Sequence, residues 1–479
     1  MKRDPGCIFC RIVAGEIPSR KVLEDDEMLV FHDIAPWAPV HVLMIPKAHI
    51  ASLYDIDASH APLFGRMVGL AGGVFSTRSA RMRDATASPA GVGSGEELAA
   101  TQSAYGELLA RLGASAPQYA ALLVPPGTSH RDVAARLRPG EALLEYMVSD
   151  SATLLFVVTR DSLRIFPIAI GRDDLSAAID FARAAITRRP AGRTREPWGP
   201  PLRRLHRLLI EPAEASGALR GIGTLIFAPH GELHFLPFAA LMGPPGTATP
   251  YLVERYEIAY VPSAAVWTQL GARAPAPPNG KVLVVAPFPG SLPGSRDEAA
   301  GIRRVYGREA TVMIGPRATQ RAFEAAAPAY STVHLATYGV LDRRNPLLSY
   351  VAFAPEAGRA GTGELAVQEV FGLSLRARLL VLSACETALG AGVASDVPPG
   401  DDWVGLVRAF LFAGVDNVMA TLWPIEDRST SRIIPRFYGS FPGESASRSL
   451  ALAQRAALRD PATAAPRHWA AFVLVGAVQ

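Results

Sequence analysis

Leu382-Ser383-Ala384-Cys385-Glu386 closes the apolar run Leu379-Leu380-Val381-Leu382 and hands a cysteine to the turn that follows. A buried strand of an α/β sheet brings its C-terminal tip to the surface, so this pattern places a thiol nucleophile at a sheet's carboxyl edge. Such a nucleophile needs an exposed position, a nearby base and donors for a developing oxyanion. A second strand-like run, Ser331 to Thr337, ends at Tyr338-Gly339. The backbone N–H groups of Gly339 and Cys385 could be the donors, because glycine lets a carbonyl approach closely. The missing part is the base. Tyr338 carries a phenol whose ordinary pKa near 10 makes it a poor proton acceptor at neutral pH.

Three histidines could substitute. His334 lies roughly 13 Å back along an extended strand and reads as a core residue of that strand. His230 and His234 flank a turn in a block that reads as structural. Asp401 and Asp402 follow Pro398-Pro399-Gly400 and read as a solvated loop. The bland account of Cys385 is a small buried hydrophobe. A second constellation is N-terminal: Cys7-Ile8-Phe9-Cys10 followed by His49 offers two soft ligands and an imidazole, part of a zinc site.

The elements that must position these groups come next. From Lys281 onward, strands at Val282–Ala286, Val333–Thr337, Leu379–Ser383 and Asn417–Thr421 alternate with helical patterns around Asp297–Tyr306, Gln320–Ala327 and Trp403–Ala413. That alternation predicts a parallel, three-layer α/β sheet with right-handed crossovers. Upstream, 142–148, 154–158, 163–168 and 224–228 read as strands, and 202–210 as a helix. Pro190 to Pro201 is dense in Arg, Pro and Gly and reads as a loop. Residues 1–75 read as compact α/β, with strands at 28–31 and 40–46 and a helix over 60–70. Residues 76–95 lack periodicity and read as a linker, and helical spacing returns over 96–112. The expected division is 1–75, the linker 76–95, 96–270 and 275–479.

Composition bounds the function. The chain has 479 residues, long enough for two or three domains. With 49% hydrophobic and 19% charged residues it is globular, and a net charge of +4 spread over this length argues against nucleic acid or an anionic membrane surface as partner. Its lysines are Lys2, Lys21, Lys47 and Lys281, a bias that gives the N-terminal piece a separate origin. The absence of a membrane-length apolar run or a signal core, and three cysteines that make no disulfide framework, predict a reducing cytoplasm.

The stretch from about Glu96 to Gln479 resembles the CHAT family of caspase-like cysteine peptidases. The resemblance rests on Phe227-Ala228-Pro229-His230-Gly231-Glu232-Leu233-His234-Phe235-Leu236-Pro237-Phe238, Leu292 to Glu298, Asn345-Pro346-Leu347-Leu348-Ser349, Leu382 to Gly390, Met419 to Pro424 and Trp469 to Gly476. It implies a caspase-like three-layer core preceded by a mixed α/β subdomain. In that family the dyad is the histidine of a Thr-His-Gly and the cysteine of Ser-Ala-Cys. The cysteine carries over to Cys385, and the histidine position carries over to Tyr338. Losing a positioned base costs about 10²–10⁴ in rate.

Residues 1–75 resemble the first half of a histidine-triad (HIT) protein, through Cys7 to Pro18, Glu24 to Glu27, Phe31-His32-Asp33-Ile34 and Pro39 to Lys47. This implies a partial α+β HIT segment, with Ile8, Phe9 and Asp33 lining a nucleoside pocket and Cys7, Cys10 and His49 as zinc ligands. The family's defining His-x-His-x-His run occurs nowhere in this chain, so HIT hydrolase activity is not expected and nucleotide is an unlikely partner. Three functions follow: a CHAT scaffold impaired at Tyr338 that binds or regulates a protein or peptide partner and needs no cofactor; an active endopeptidase using Cys385 with a displaced base; or a nucleotide-responsive module using the HIT segment.

Overall fold

The computed structural model describes residues 7–32, 42–49, 127–188, 196–273, 279–340, 349–356, 363–384, 401–425 and 427–478. The chain divides into two compact units, residues 1–117 and 118–479. The linker at 76–95 and the helices expected over 60–70 and 96–112 lie outside the described residues, as do Asp33, Cys385 and residues 190–195 of the expected 190–201 loop.

In the first unit, α1 (Ile8–Val13) precedes β1 (Lys21–Glu24), β2 (Met28–His32) and β3 (Val42–Pro46), an antiparallel sheet in that order. The β1–β2 turn is fixed by Asp25, whose Oδ1 accepts the N–H groups of Glu27 and Met28 at 2.8 and 2.7 Å. This is the side-chain mimic of a backbone turn that Asp favours. Ile12, Leu29 and Phe31 form a small core.

The second unit is built on one sheet. Its strands are β4 (Glu141–Val148), β5 (Thr153–Val158), β6 (Leu163–Ile168), β7 (Thr224–Ala228), β8 (Glu257–Tyr260), β9 (Val282–Ala286), β10 (Ala310–Ile314), β11 (Thr332–Thr337), β15 (Leu379–Ala384), β16 (Asn417–Thr421) and β17 (Phe472–Gly476). Their order is β10-β9-β11-β15-β16-β17-β8-β7-β4-β5-β6. A separate small sheet joins β12 (Gly339–Val340), β13 (Tyr350–Ala352) and β14 (Glu364–Ala366). The central strands β9, β11, β16 and β17 are buried at every position. Continuous apolar runs of this kind are what a sheet covered on both faces demands.

The block β10-β9-β11-β15-β16 is parallel, as the strand–helix alternation predicts. The sheet does not stop there. β17 pairs antiparallel with β16 and parallel with β8, and β8, β7 and β4 continue in parallel before the antiparallel β5 and β6. The expected mixed upstream segment is thus part of the same sheet, because β17 would otherwise leave an unpaired edge. The carboxyl ends of β4, β7 and β8 face the edge opposite those of β9, β11, β15 and β16.

Helices cover the faces. α2 (Arg172–Thr187) buries Leu175, Ile179, Ala182 and Ile186, one helical stripe, beside α3 (Gly199–Leu209). α4 (Gly294–Tyr306) packs on α6 (Asp427–Ser440), with Gly301 close against Pro435. α5 (Asp401–Phe412) leads into β16, and α7 (Ala446–Arg459) is capped by Ser445, whose Oγ accepts from Arg448 N at 3.2 Å. None of the helices among the described residues is long and apolar enough to cross a membrane.

Between α5 and β16, Gly414 adopts φ +102°, and a Cβ there would collide with the carbonyl oxygen of Leu375. Gly414→Ala therefore combines left-handed strain with a backbone clash, and a loss of about 2–4 kcal/mol is expected in urea unfolding.

Candidate functional site

β11 and β15 lie side by side in parallel register, from Thr332 opposite Leu379 to Thr337 opposite Ala384. The next residues in sequence are Tyr338 and Cys385. The two positions singled out by sequence therefore follow directly from paired strand ends, at the carboxyl edge of the parallel block. Cys385 itself lies outside the described residues.

Tyr338 is half-buried, with its ring centroid 5.4 Å from that of Phe288. Its backbone is pinned from the small sheet: Ala352 N donates to Tyr338 O at 2.9 Å, and Thr337 Oγ1 donates to Ala352 O at 2.6 Å. Gly339 is buried and pairs with Val351. Hydrogen bonds alternate along an antiparallel ladder, so the bond at Tyr338 leaves the Gly339 N–H directed away from β13.

His334 is a core residue, as its strand context predicts. It is fully buried, with Nε2 2.8 Å from Glu298 Oε2 on α4 and Nδ1 3.2 Å from the Tyr438 hydroxyl on α6. Both ring nitrogens are occupied, so this imidazole is committed to the helix layer. Burial, then Tyr306 and Glu298, hold the Tyr438 phenol well above its ordinary range.

His230 and His234 follow β7, at the sheet edge opposite Tyr338. His230 is exposed, and its Nδ1 accepts from Val148 N at 3.2 Å. Burial, then the charges of Arg408 and His230, pull the His234 pKa down to about 4. An unfolded chain takes up this proton near pH 6.5, the folded one only near pH 4. Stability from His234 is therefore present above the upper value and lost as pH falls through the window. His234→Asn is expected to flatten that acid limb, read as urea midpoints at neutral pH and near the lower pKa.

Sequence reasoning missed Phe288 and Ser383. Ser383 is buried, and its Oγ has no hydrogen-bond partner among the described residues. Its place in the strand, two residues before Cys385 in the sequence, was a signal that period-two counting could have given.

In the first unit, Cys7 caps α1 and is half-buried, Cys10 is buried within α1, and His49 follows β3. Their ligand atoms all lie within 4.8 Å of one another, with Cys10 Sγ 3.2 Å from His49 Nδ1. Zinc bonds of about 2.3 Å to sulfur and 2.0–2.1 Å to nitrogen space such ligands roughly 3.5 Å apart. The donor set fits that ion in chemistry and spacing. Ile8 and Phe9, on the same helix, are 56% and 43% exposed.

Two family models match separate parts of the chain. A CHAT domain model matches residues 199–477, and one for the scavenger mRNA decapping enzyme C-terminal binding region matches residues 6–86. Mouse tetratricopeptide repeat protein 28 is 28% identical over 332 residues, covering 58% of this chain and 13% of that protein. Protein HitA of Neisseria gonorrhoeae is 53% identical over 62 residues, covering 13% of this chain and 58% of that protein. The chain thus spans less than two thirds of either relative. Among solved structures, a Saccharomyces cerevisiae separase–securin complex matches with a TM-score of 0.47 at 10% identity, over 72% of this chain and 31% of that one. A Legionella pneumophila HIT family hydrolase matches with a TM-score of 0.15 at 40% identity, over 15% and 65%. The main sheet reaches upstream of the matched CHAT range, since β4, β5 and β6 precede residue 199. The N-terminal segment is HIT-like, and the chain belongs to the CHAT domain family.

Proposed function

We propose that this CHAT chain is a binding or regulatory module on a cysteine-peptidase scaffold whose dyad is interrupted at Tyr338. The observation behind the reading is the β11–β15 register, which sets Tyr338 at the strand end next to the one that leads to Cys385. Gly339, with its N–H directed away from β13, is the oxyanion donor of this scaffold, and Cys385 is its nucleophile position. A tyrosine ring packed on Phe288 fills the place where a base would stand. The displaced-base alternative has little support from the described histidines: His334 is sealed between Glu298 and Tyr438, and His230 and His234 occupy the opposite sheet edge. The partner is a protein or peptide held at the carboxyl edge. The test compares wild type, Tyr338→His and Cys385→Ala on a pooled fluorogenic peptide library; Cys385-dependent turnover by wild type would overturn the reading.

The N-terminal segment supports a second role, zinc binding through Cys7, Cys10 and His49, carried by their mutual distances. A bound zinc would add folding energy to a unit with a small core. Metal analysis of the purified chain, with Cys10→Ser as control, tests it. Hydrolysis of nucleotides is not part of this reading, since no His-x-His-x-His run exists in the sequence.

A further inference from the structure

We propose that Cys7 and Cys10 form a peroxide-driven disulfide switch, in which the oxidised pair gives up zinc and the reduced pair holds it. The inference rests on the zinc reading above and adds a chemistry to it.

The geometry is asymmetric in a way that sets the order of events. Cys7 is half-buried and sits before the first helical residue, with extended backbone at φ −87° and ψ 122°. Cys10 is only 7% exposed, and its Sγ lies 3.2 Å from His49 Nδ1. Oxidation follows access to a thiolate, so an incoming hydroperoxide meets Cys7 first. The two sulfurs are within 4.8 Å, and a disulfide needs about 2.05 Å. Cys7 can make that approach from its place outside the helix, leaving the turns of α1 in place.

The step balances as follows. The Cys7 thiolate attacks one peroxide oxygen, the O–O bond breaks, and Cys7 sulfenic acid and hydroxide form. The Cys10 thiolate then attacks the Cys7 sulfur, the S–O bond breaks, and a second hydroxide leaves. Both hydroxides take protons from solvent, so one hydroperoxide is reduced by two electrons and two thiolates become one disulfide. Neither sulfur keeps the anionic charge that a zinc dication requires. His49 alone is too few ligands to retain it. A dithiol reductant reverses the change by exchange through a mixed disulfide.

The experiment uses the full chain, reduced without oxygen and loaded with zinc alone. Stoichiometric hydrogen peroxide is expected to release all bound zinc to a chromogenic chelator. Thiol titration should fall by two, peptide mapping should find a Cys7–Cys10 disulfide, and dithiothreitol should restore zinc uptake. Cys7→Ser should show no such disulfide. A reduced chain that takes up no zinc would sink the zinc reading and this inference with it. Zinc uptake followed by oxidation at Cys385, by sulfinic acid at Cys10, or by a disulfide that leaves zinc bound would sink this inference alone.

Discussion

Tyr338→His is expected to raise Cys385-dependent peptide cleavage by about 10²–10⁴-fold, the usual contribution of a positioned base. The backbone at 338 needs no rebuilding. It is fixed by the Ala352 bond to the Tyr338 carbonyl and by the register of β11 with β15. The imidazole would lose the Tyr338–Phe288 ring contact, a cost of about 0.5–1.5 kcal/mol that the buried sheet can bear. Initial rates of wild type, Tyr338→His and the double variant Tyr338→His/Cys385→Ala would separate the outcomes. A folded Tyr338→His protein that stays at the double variant's rate would show that position 338 is not where this scaffold takes its base.

The second large effect is on stability. His334→Leu leaves the Glu298 carboxylate, 2% exposed, without its 2.8 Å partner in the layer between β11 and two helices. Removing one partner of a buried hydrogen-bonded pair costs about 1–3 kcal/mol, because the polar group left behind stays desolvated. The double variant Glu298→Leu/His334→Leu should recover a large part of that loss, since the strandedness of one group, rather than the pair's attraction, dominates. Urea midpoints for the two single variants and the double test this; a simple sum of the single losses in the double variant would refute it.

Much of the sheet could be read in advance, and the reason is local. β9, β11, β15 and β16 are short apolar runs bounded by turn residues, and burial on both faces leaves no room for another pattern. β12, β13 and β14 are only two or three residues long and carry no period at all. β10 is an edge strand with half-exposed positions, so its signal is diluted. α2 was legible and went unread: Leu175, Ile179, Ala182 and Ile186 recur at helical spacing, but alanine and aspartate between them mute the contrast. At the site, matched strand ends point to Tyr338 and Cys385 from sequence alone. The Glu298–His334–Tyr438 cluster does not show itself, because its members come from positions 36 and 104 residues apart. Likewise, the meeting of β17 with β8 depends on chain closure over a long span, which no local pattern encodes.

That meeting bears on how the protein is made. Residues 472–476 come late in synthesis yet occupy the middle of the sheet, between β16 and β8. Until they emerge, a ribosome-bound chain carries two separate part-sheets, each with a bare inner edge able to pair with any neighbour. The seam of this sheet can therefore close only after its other strands have been made, and nascent chains are most exposed to mispairing in the interval before Phe472 appears. A stop just before Phe472 would remove this one strand and split the sheet in two.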